Sequence, residues 1–259
     1  MLPKKTSWGT VADWYDEMLL DSDSYQKQVI MPNIIRIINP KKGISIIDIA
    51  CGQGYFSQTF AQNGAKVIGC DISKELIKIA KNNSIKEKEI EYFVSSSDNL
   101  PFMNGESRKV DFAVMILALQ NIENLSGTLS ECARILKPNG RLVIVLNHPA
   151  FRIPKNSSWE WNEQKQYRRI DAYMSDQQFK IDMTPSETDS SKKKFTVSFH
   201  RPLQVYFKAL NKAGFAVSRL EEWISHKKSQ AGPRSVEEDR LRKEIPMFIC
   251  IEAVRLTTL

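Results

Sequence analysis

No apolar run in this sequence reaches the roughly 20 residues that a membrane-spanning helix needs. The longest, FAVMILAL (112–119) and RLVIVL (141–146), are strand-sized. The N-terminal stretch MLPKKTSWGTVADWYD has no long apolar segment of the signal-peptide kind and soon turns acidic. A cytoplasmic protein without a membrane span is the expectation. Cysteine is scarce: four residues, at 51, 70, 132 and 250, with no C-x-x-C pair. That pattern fits reduced thiols rather than a disulfide framework or a zinc site. The three histidines, His148, His200 and His226, stand far apart, so no metal is expected.

What is present is an ordinary soluble composition. A chain of 259 residues, 42% hydrophobic and 26% charged, can bury a substantial core. The net charge of +7 permits a nucleic-acid partner without requiring one, since many small-molecule enzymes are as basic. The cluster Lys192-Lys193-Lys194 lies beside Asp189 and Ser190-Ser191, as in a solvated loop.

Periodicity predicts one or two helices over 7–37, closed by Pro40-Lys41-Lys42-Gly43. Strands and helices then alternate: strand 45–50, helix 55–62, strand 66–71, helix 73–82, strand 90–95, strand 110–117, helix 126–136 and strand 141–146. Such alternation implies a parallel α/β sheet with right-handed crossovers. It stops at 147–200, where aromatic residues are scattered among polar ones and a hairpin of 179–183 with 194–200 is predicted. A helix over 202–213 and strands over 215–223 and 247–255 complete the pattern, with a helical stretch inside 225–245.

The first strand ends in DIACGQG (48–54). Glycines there let the backbone turn tightly and approach a ligand with no Cβ in the way. The second strand ends in Asp71, nineteen residues after Gly52, where an acid accepts both hydrogen bonds of a ribose diol. A dinucleotide fingerprint would need glycine at 57, which is serine. Asp48, upstream of the glycines, suits an ammonium better than a pyrophosphate.

These residues resemble a class I S-adenosylmethionine-dependent methyltransferase, of the group containing the ubiquinone- and menaquinone-biosynthesis C-methyltransferases. DIACGQG is similar to the family's first motif and GCDIS (69–73) to its second acidic loop. SSSDNLPF (95–102) resembles its adenine-binding loop, DFAVMILALQNI (111–122) its fourth strand, ILKPNGRLVIV (135–145) its fifth, and FHRPLQVYFKALNKAGF (199–215) its late helix. The resemblance implies a Rossmann-like α/β fold: a seven-stranded, mostly parallel sheet with an antiparallel last strand. It implies a single domain over 1–259, with an N-terminal helical lid (1–40), a cofactor-binding core (41–150 and 201–259) and a substrate-lid insertion after strand five (151–200). The implied cofactor is S-adenosyl-L-methionine, yielding S-adenosyl-L-homocysteine by in-line displacement.

The implied cofactor-binding residues are Tyr15, Asp48, Ala50, Gly52, Gly54, Asp71, Ile72, Ser96, Ser97, Asp98 and Leu117. Asp48 would orient the ammonium, Gly52 and Gly54 touch the methionine portion, Asp71 hold the ribose and Ile72 cover the adenine. An acid is common in the family where Ser96 stands, so the adenine contact falls to Ser96, to Asp98 or to amides around Ser97. Tyr15 either closes a lid or packs the first helix, and Gln120 and Asn121 either position the acceptor or cap a turn. His148, after strand five, is the candidate general base, with His200 as a second. Trp159, Trp161, Tyr167 and Tyr173 either wall an acceptor pocket or pack the insertion onto the sheet. The expected acceptor is a small molecule, apolar or aromatic. The alternative is RNA or protein gripped by Arg168-Arg169, Lys192–Lys194 and Lys227-Lys228, although the sequence has no N-P-P-Y-like tetrad and no RNA-binding appendage. No stripe marks an oligomer interface.

Overall fold

The computed structural model describes residues 21–184, 188–189 and 193–256. Tyr15 lies outside the described residues. Strand β1 (Ser45–Ile49) is buried at every position but its first, and β4 (Val110–Ile116) at all but Asp111. Strands that apolar on both faces belong at the centre of a covered parallel sheet, and there they lie. With β2 (Lys66–Asp71), β3 (Ile90–Val94), β5 (Leu136–Asn147), β10 (Phe215–Trp223) and β11 (Phe248–Arg255), they form one seven-stranded sheet of order β10-β11-β5-β4-β1-β2-β3. The pairs β1–β2, β2–β3, β1–β4 and β4–β5 are parallel. Strand β11 runs antiparallel to both its neighbours, β5 and β10. It is therefore the last strand that is reversed, as the resemblance implied.

Successive side chains of a strand point to opposite faces, and two cores result. Ile47, Ile49 and Met115 face helices α4 (Leu125–Ile135) and α5 (Leu203–Lys212). Ile46, Val114 and Val143 face helices α1 (Met31–Ile38) and α2 (Tyr55–Gln62). The apolar pattern that crosses Pro32 is a real helix: a π turn, Gln26–Ile30, leads into α1. Its wide i→i+5 bond from Met31 N–H to the Gln26 carbonyl suits a following residue with no N–H to give.

Two differences from the sequence expectation stand out. Strand β5 is longer than 141–146. Its start pairs Leu136 with Val110, and Lys137–Gly140 then bulge before Arg141 pairs with Phe112. Asn139, at φ 60°, turns that bulge, and Lys137 Nζ ties it to Asp111 Oδ1 at 2.8 Å. The insertion holds two hairpins rather than one. The expected hairpin is β8 (Gln177–Asp182) with β9 (Phe195–His200); before it come β6 (Ser157–Asn162) and β7 (Lys165–Ile170). The first hairpin's turn uses Glu163 at φ 53° instead of glycine or asparagine, so no turn signal marks it. Helix α3 (Lys74–Asn83) follows β2, and α6 (Ser235–Glu244) precedes β11.

Candidate functional site

Strand order reverses between β1 and β4, because the chain fills β1, β2 and β3 before crossing back to β4. Ligands of open α/β sheets bind in the crevice at such a point. Both strands leave the sheet there through a left-handed residue, Ala50 at φ 57° and Leu117 at φ 54°. That conformation is costly for a residue with a Cβ and tends to be kept where function fixes the backbone. The cleft between them spans about 780 Å³ including its open mouth, and Asp48, Gly52, Asp71, Ile72, Leu117 and Asn121 line it. A nucleoside-sized ligand fits that space.

Asp71 is buried, and its two carboxylate oxygens accept from backbone amides: Oδ2 from Gly52 at 3.0 Å and Oδ1 from Ser73 at 2.9 Å. Each oxygen keeps a second lone pair, so the carboxylate can still accept from two adjacent hydroxyls. Burial pushes its pKa up, and the amide bonds oppose the shift. Asp48 is also buried, and Ser57 Oγ donates to its Oδ2 at 2.6 Å. No Lys, Arg or His pairs with it among the described residues. Desolvation, with Asp71 nearby, raises its pKa to about 7 against the bond from Ser57. A buried carboxylate without a cation, beside a diol acceptor, fits the ammonium and ribose of S-adenosylmethionine.

The Asp48 pKa has a thermodynamic consequence. The folded chain keeps a proton that the unfolded chain loses near pH 3.8, so stability falls as pH rises from about 4 to 7 and is flat above. An ammonium ligand favours the carboxylate. Affinity for S-adenosylhomocysteine should therefore weaken toward tenfold per pH unit below 7, with proton release on binding in that range. Calorimetry in buffers of different ionisation enthalpy reads the released proton; an identical slope in Asp48→Asn would refute the assignment.

Gly54 does not line the cleft. A Cβ on Gly54 would stand 2.2 Å from the Tyr92 hydroxyl, and one on Gly69 would stand 2.5 Å from the Tyr92 ring. Tyr92 reaches from β3 across both glycines, and its hydroxyl lies 3.0 Å from Ser84 Oγ. The sequence reading missed Tyr92, because nothing local to β3 announces that it seats the glycine loop. Ser57 entered that reading only as an absent glycine, whereas it is the donor to Asp48.

Ile72 stands at the lip of the cleft, 54% exposed. Ser96, Ser97 and Asp98 follow β3 and are engaged with one another or with α4. Ser96 Oγ donates to Asp98, Asn124 Nδ2 donates to Asp98 Oδ2 at 2.7 Å, and Ser97 and Thr128 hydroxyls are 2.9 Å apart. They are not among the cleft-lining residues. Gln120 and Asn121 both donate to the Leu117 carbonyl, at 2.8 and 3.4 Å, and so cap the turn.

His148, the expected general base, is engaged elsewhere in the structure. It is 2% exposed and does not line the cleft. Its Nδ1 accepts from the Ala150 amide at 3.2 Å, so Nε2 carries the hydrogen and donates to Glu222 Oε1 at 2.7 Å. Burial lowers its pKa, with Glu222 opposing. His148→Gln should cost stability by about 1–2 kcal/mol while leaving turnover within about twofold, a change well under 1 kcal/mol in barrier; a loss of hundredfold would restore the catalytic role. His200 is held likewise, its Nε2 2.8 Å from the Tyr173 carbonyl. The insertion aromatics are not among the cleft-lining residues either. Guanidinium groups lie over Trp159 and Trp161, Tyr167 donates to Glu160, and Tyr173 Oη accepts from the Leu203 amide.

Residues 47–144 match the family model described as a methyltransferase domain. Sheet order and switch-point cleft accord with that match, so residues 47–144 are similar to a class I methyltransferase domain, the class whose cofactor is S-adenosyl-L-methionine. Among similar proteins is the demethylmenaquinone methyltransferase of Tropheryma whipplei (strain Twist), 34% identical over 115 residues, 44% of this chain and 46% of that one. The ubiquinone biosynthesis O-methyltransferase of Pelagibacter ubique is 33% identical over 106 residues, 40% and 42% of the two chains. This chain thus spans about half the length of the curated relatives it matches. A solved S-adenosylmethionine-dependent methyltransferase from Mesorhizobium loti shares the fold at TM-score 0.67 and 23% identity, over 86% of this chain and 96% of that one. No helix of the described residues is long and apolar enough to cross a membrane.

Proposed function

We propose that this chain transfers a methyl group from S-adenosylmethionine to a small-molecule acceptor with an apolar or aromatic body. The observation that carries the reading is the pair of buried carboxylates, Asp48 and Asp71, facing one cleft across the Gly52 amide. When bound, the cofactor supplies an electrophilic methyl on a sulfonium. The chain's own residues bind, orient and exclude water: Asp71 accepts from the ribose, Asp48 faces the ammonium and Ile72 shields the adenine. Toward β4 the lining is apolar, from Phe56, Leu117, Ala118 and Ile122, which suits an apolar acceptor body. The relatives' names point to quinone-type precursors.

A macromolecular acceptor is less well supported. Three of the basic residues that would grip it pair internally: Arg169 with Glu160, Lys193 with Asp182 and Lys227 with Asp23. Incubation with methyl-tritiated S-adenosylmethionine and a cell extract should place label in extractable small molecules, and Asp71→Ala should abolish it. Label in RNA or protein instead would overturn the reading.

A further inference from the structure

We propose that Arg152, Arg168 and the face of Trp159 form a carboxylate-binding subsite, which holds an anionic group on the acceptor. Arg168 stands opposite Trp159 across the first hairpin. Its guanidinium carbon lies 4.9 Å from the indole centre, and that of Arg152 lies 5.5 Å away. Two like charges on one ring repel, yet no carboxylate pairs with either among the described residues. Most other arginines do have one, including the adjacent Arg169, which pairs with Glu160. Arg168 gives hydrogen bonds to the Phe151 carbonyl at 2.8 Å and to Ser157 Oγ at 2.5 Å. Arg152 Nε is buried and meets no acceptor. A buried donor left unmade costs about 1–3 kcal/mol, and more for a charged group, and among the described residues no acceptor offsets that cost at Arg152 Nε. Burial holds both guanidinium pKa values below the usual range, with Arg152 pushing Arg168 further down to about 10. An anion between them would reverse each of these costs.

The location is also right. Arg152 follows β5 at the same sheet edge as the cleft, and β5 is hydrogen-bonded to β4, whose end carries Leu117. The apolar cluster containing Leu117, Tyr55, Tyr25 and Phe248 covers this side of the sheet. A forked guanidinium matches a carboxylate's two oxygens, and the indole offers a face to an aromatic ring. The methyl-transfer reading is needed only to call the bound molecule an acceptor; binding itself stands apart from it.

The test is calorimetric titration of the full chain with benzoate, its neutral isostere benzamide, and inorganic phosphate, each with and without S-adenosylhomocysteine. Benzoate should bind at least tenfold more tightly than benzamide. Arg152→Met and Arg168→Met should each weaken benzoate at least tenfold, while benzamide and S-adenosylhomocysteine affinities stay within twofold. No side-chain hydrogen bond of Arg152 is seen among the described residues, so its variant remains interpretable if Arg168→Met fails to fold; Arg168→Lys then keeps the charge without the fork. Equal binding of benzoate and benzamide, or benzoate affinity indifferent to both arginines, would overturn the proposal. So would phosphate binding at these arginines in preference to benzoate. Loss of S-adenosylhomocysteine binding with benzoate selectivity intact would instead count against the methyltransferase reading alone.

Discussion

Asp71→Ala should weaken S-adenosylhomocysteine binding at least hundredfold. Two charge-assisted hydrogen bonds from a ribose diol contribute roughly 1.5–3 kcal/mol each, and about 1.4 kcal/mol is a factor of ten. The same substitution leaves the Gly52 and Ser73 amides without their acceptors, so it should also lower the unfolding temperature. Asp71→Asn separates the two effects. It keeps the volume and one carbonyl oxygen, and should cost binding about tenfold with a smaller loss of stability, since one of the two acceptors survives. Calorimetric titration and thermal unfolding of both variants provide the readout. An Asp71→Ala protein that binds within threefold of the parent would show that the cleft takes something other than a nucleoside diol.

The second large effect is predicted for Gly54→Ala. A methyl group there meets the Tyr92 hydroxyl at 2.2 Å and the ring carbon behind it at 2.9 Å, with the backbone already at φ 80°. Overpacking typically costs about 1–3 kcal/mol, and a left-handed conformation adds about 1 kcal/mol for a residue with a Cβ. Together about 2–4 kcal/mol are lost, a fall of roughly 5–15 °C for a domain of this size. Tyr92→Phe gives up the contact with Ser84 but removes the nearest obstacle. In the double variant the two costs should therefore sum to less than their separate values, by at least about 0.5 kcal/mol, the usual threshold of coupling. Strict additivity, or a Gly54→Ala protein as stable as the parent, would mean that Tyr92 does not seat this loop.

This second case also shows what local sequence conveys. A glycine at 54 was expected on the ground of backbone freedom, and φ 80° bears out the turn. Its partner, Tyr92, comes from a strand 38 positions later and is brought there by parallel pairing of β2 with β3. The missed hairpin has a related cause. The fragment SSWEWN alternates correctly for a strand, but its turn lacks the residues that favour positive φ, and Glu163 adopts that conformation because the paired strands impose it. His148 shows how a side chain near the ligand edge can be engaged by another strand. The residue does follow β5 at the ligand edge, but the antiparallel β11 brings β10 alongside, and Glu222 on β10 takes the imidazole.

By itself the sequence determined the layered α/β architecture, the order of its strands and helices from 45 to 147, the reversed last strand through the family it resembles, and the two acids at strand ends. It could do so because hydrophobic periodicity, glycine placement and helix caps are local properties, written within a few residues of where they act. Only the tertiary structure decided which groups share a space. It bonded Ser57 to Asp48, laid Tyr92 across two glycines, withdrew His148 from the cleft, and set two arginines on one indole. Those are contacts between segments distant in the chain, fixed by sheet register and core packing, and one strand's sequence does not encode which neighbour it will meet.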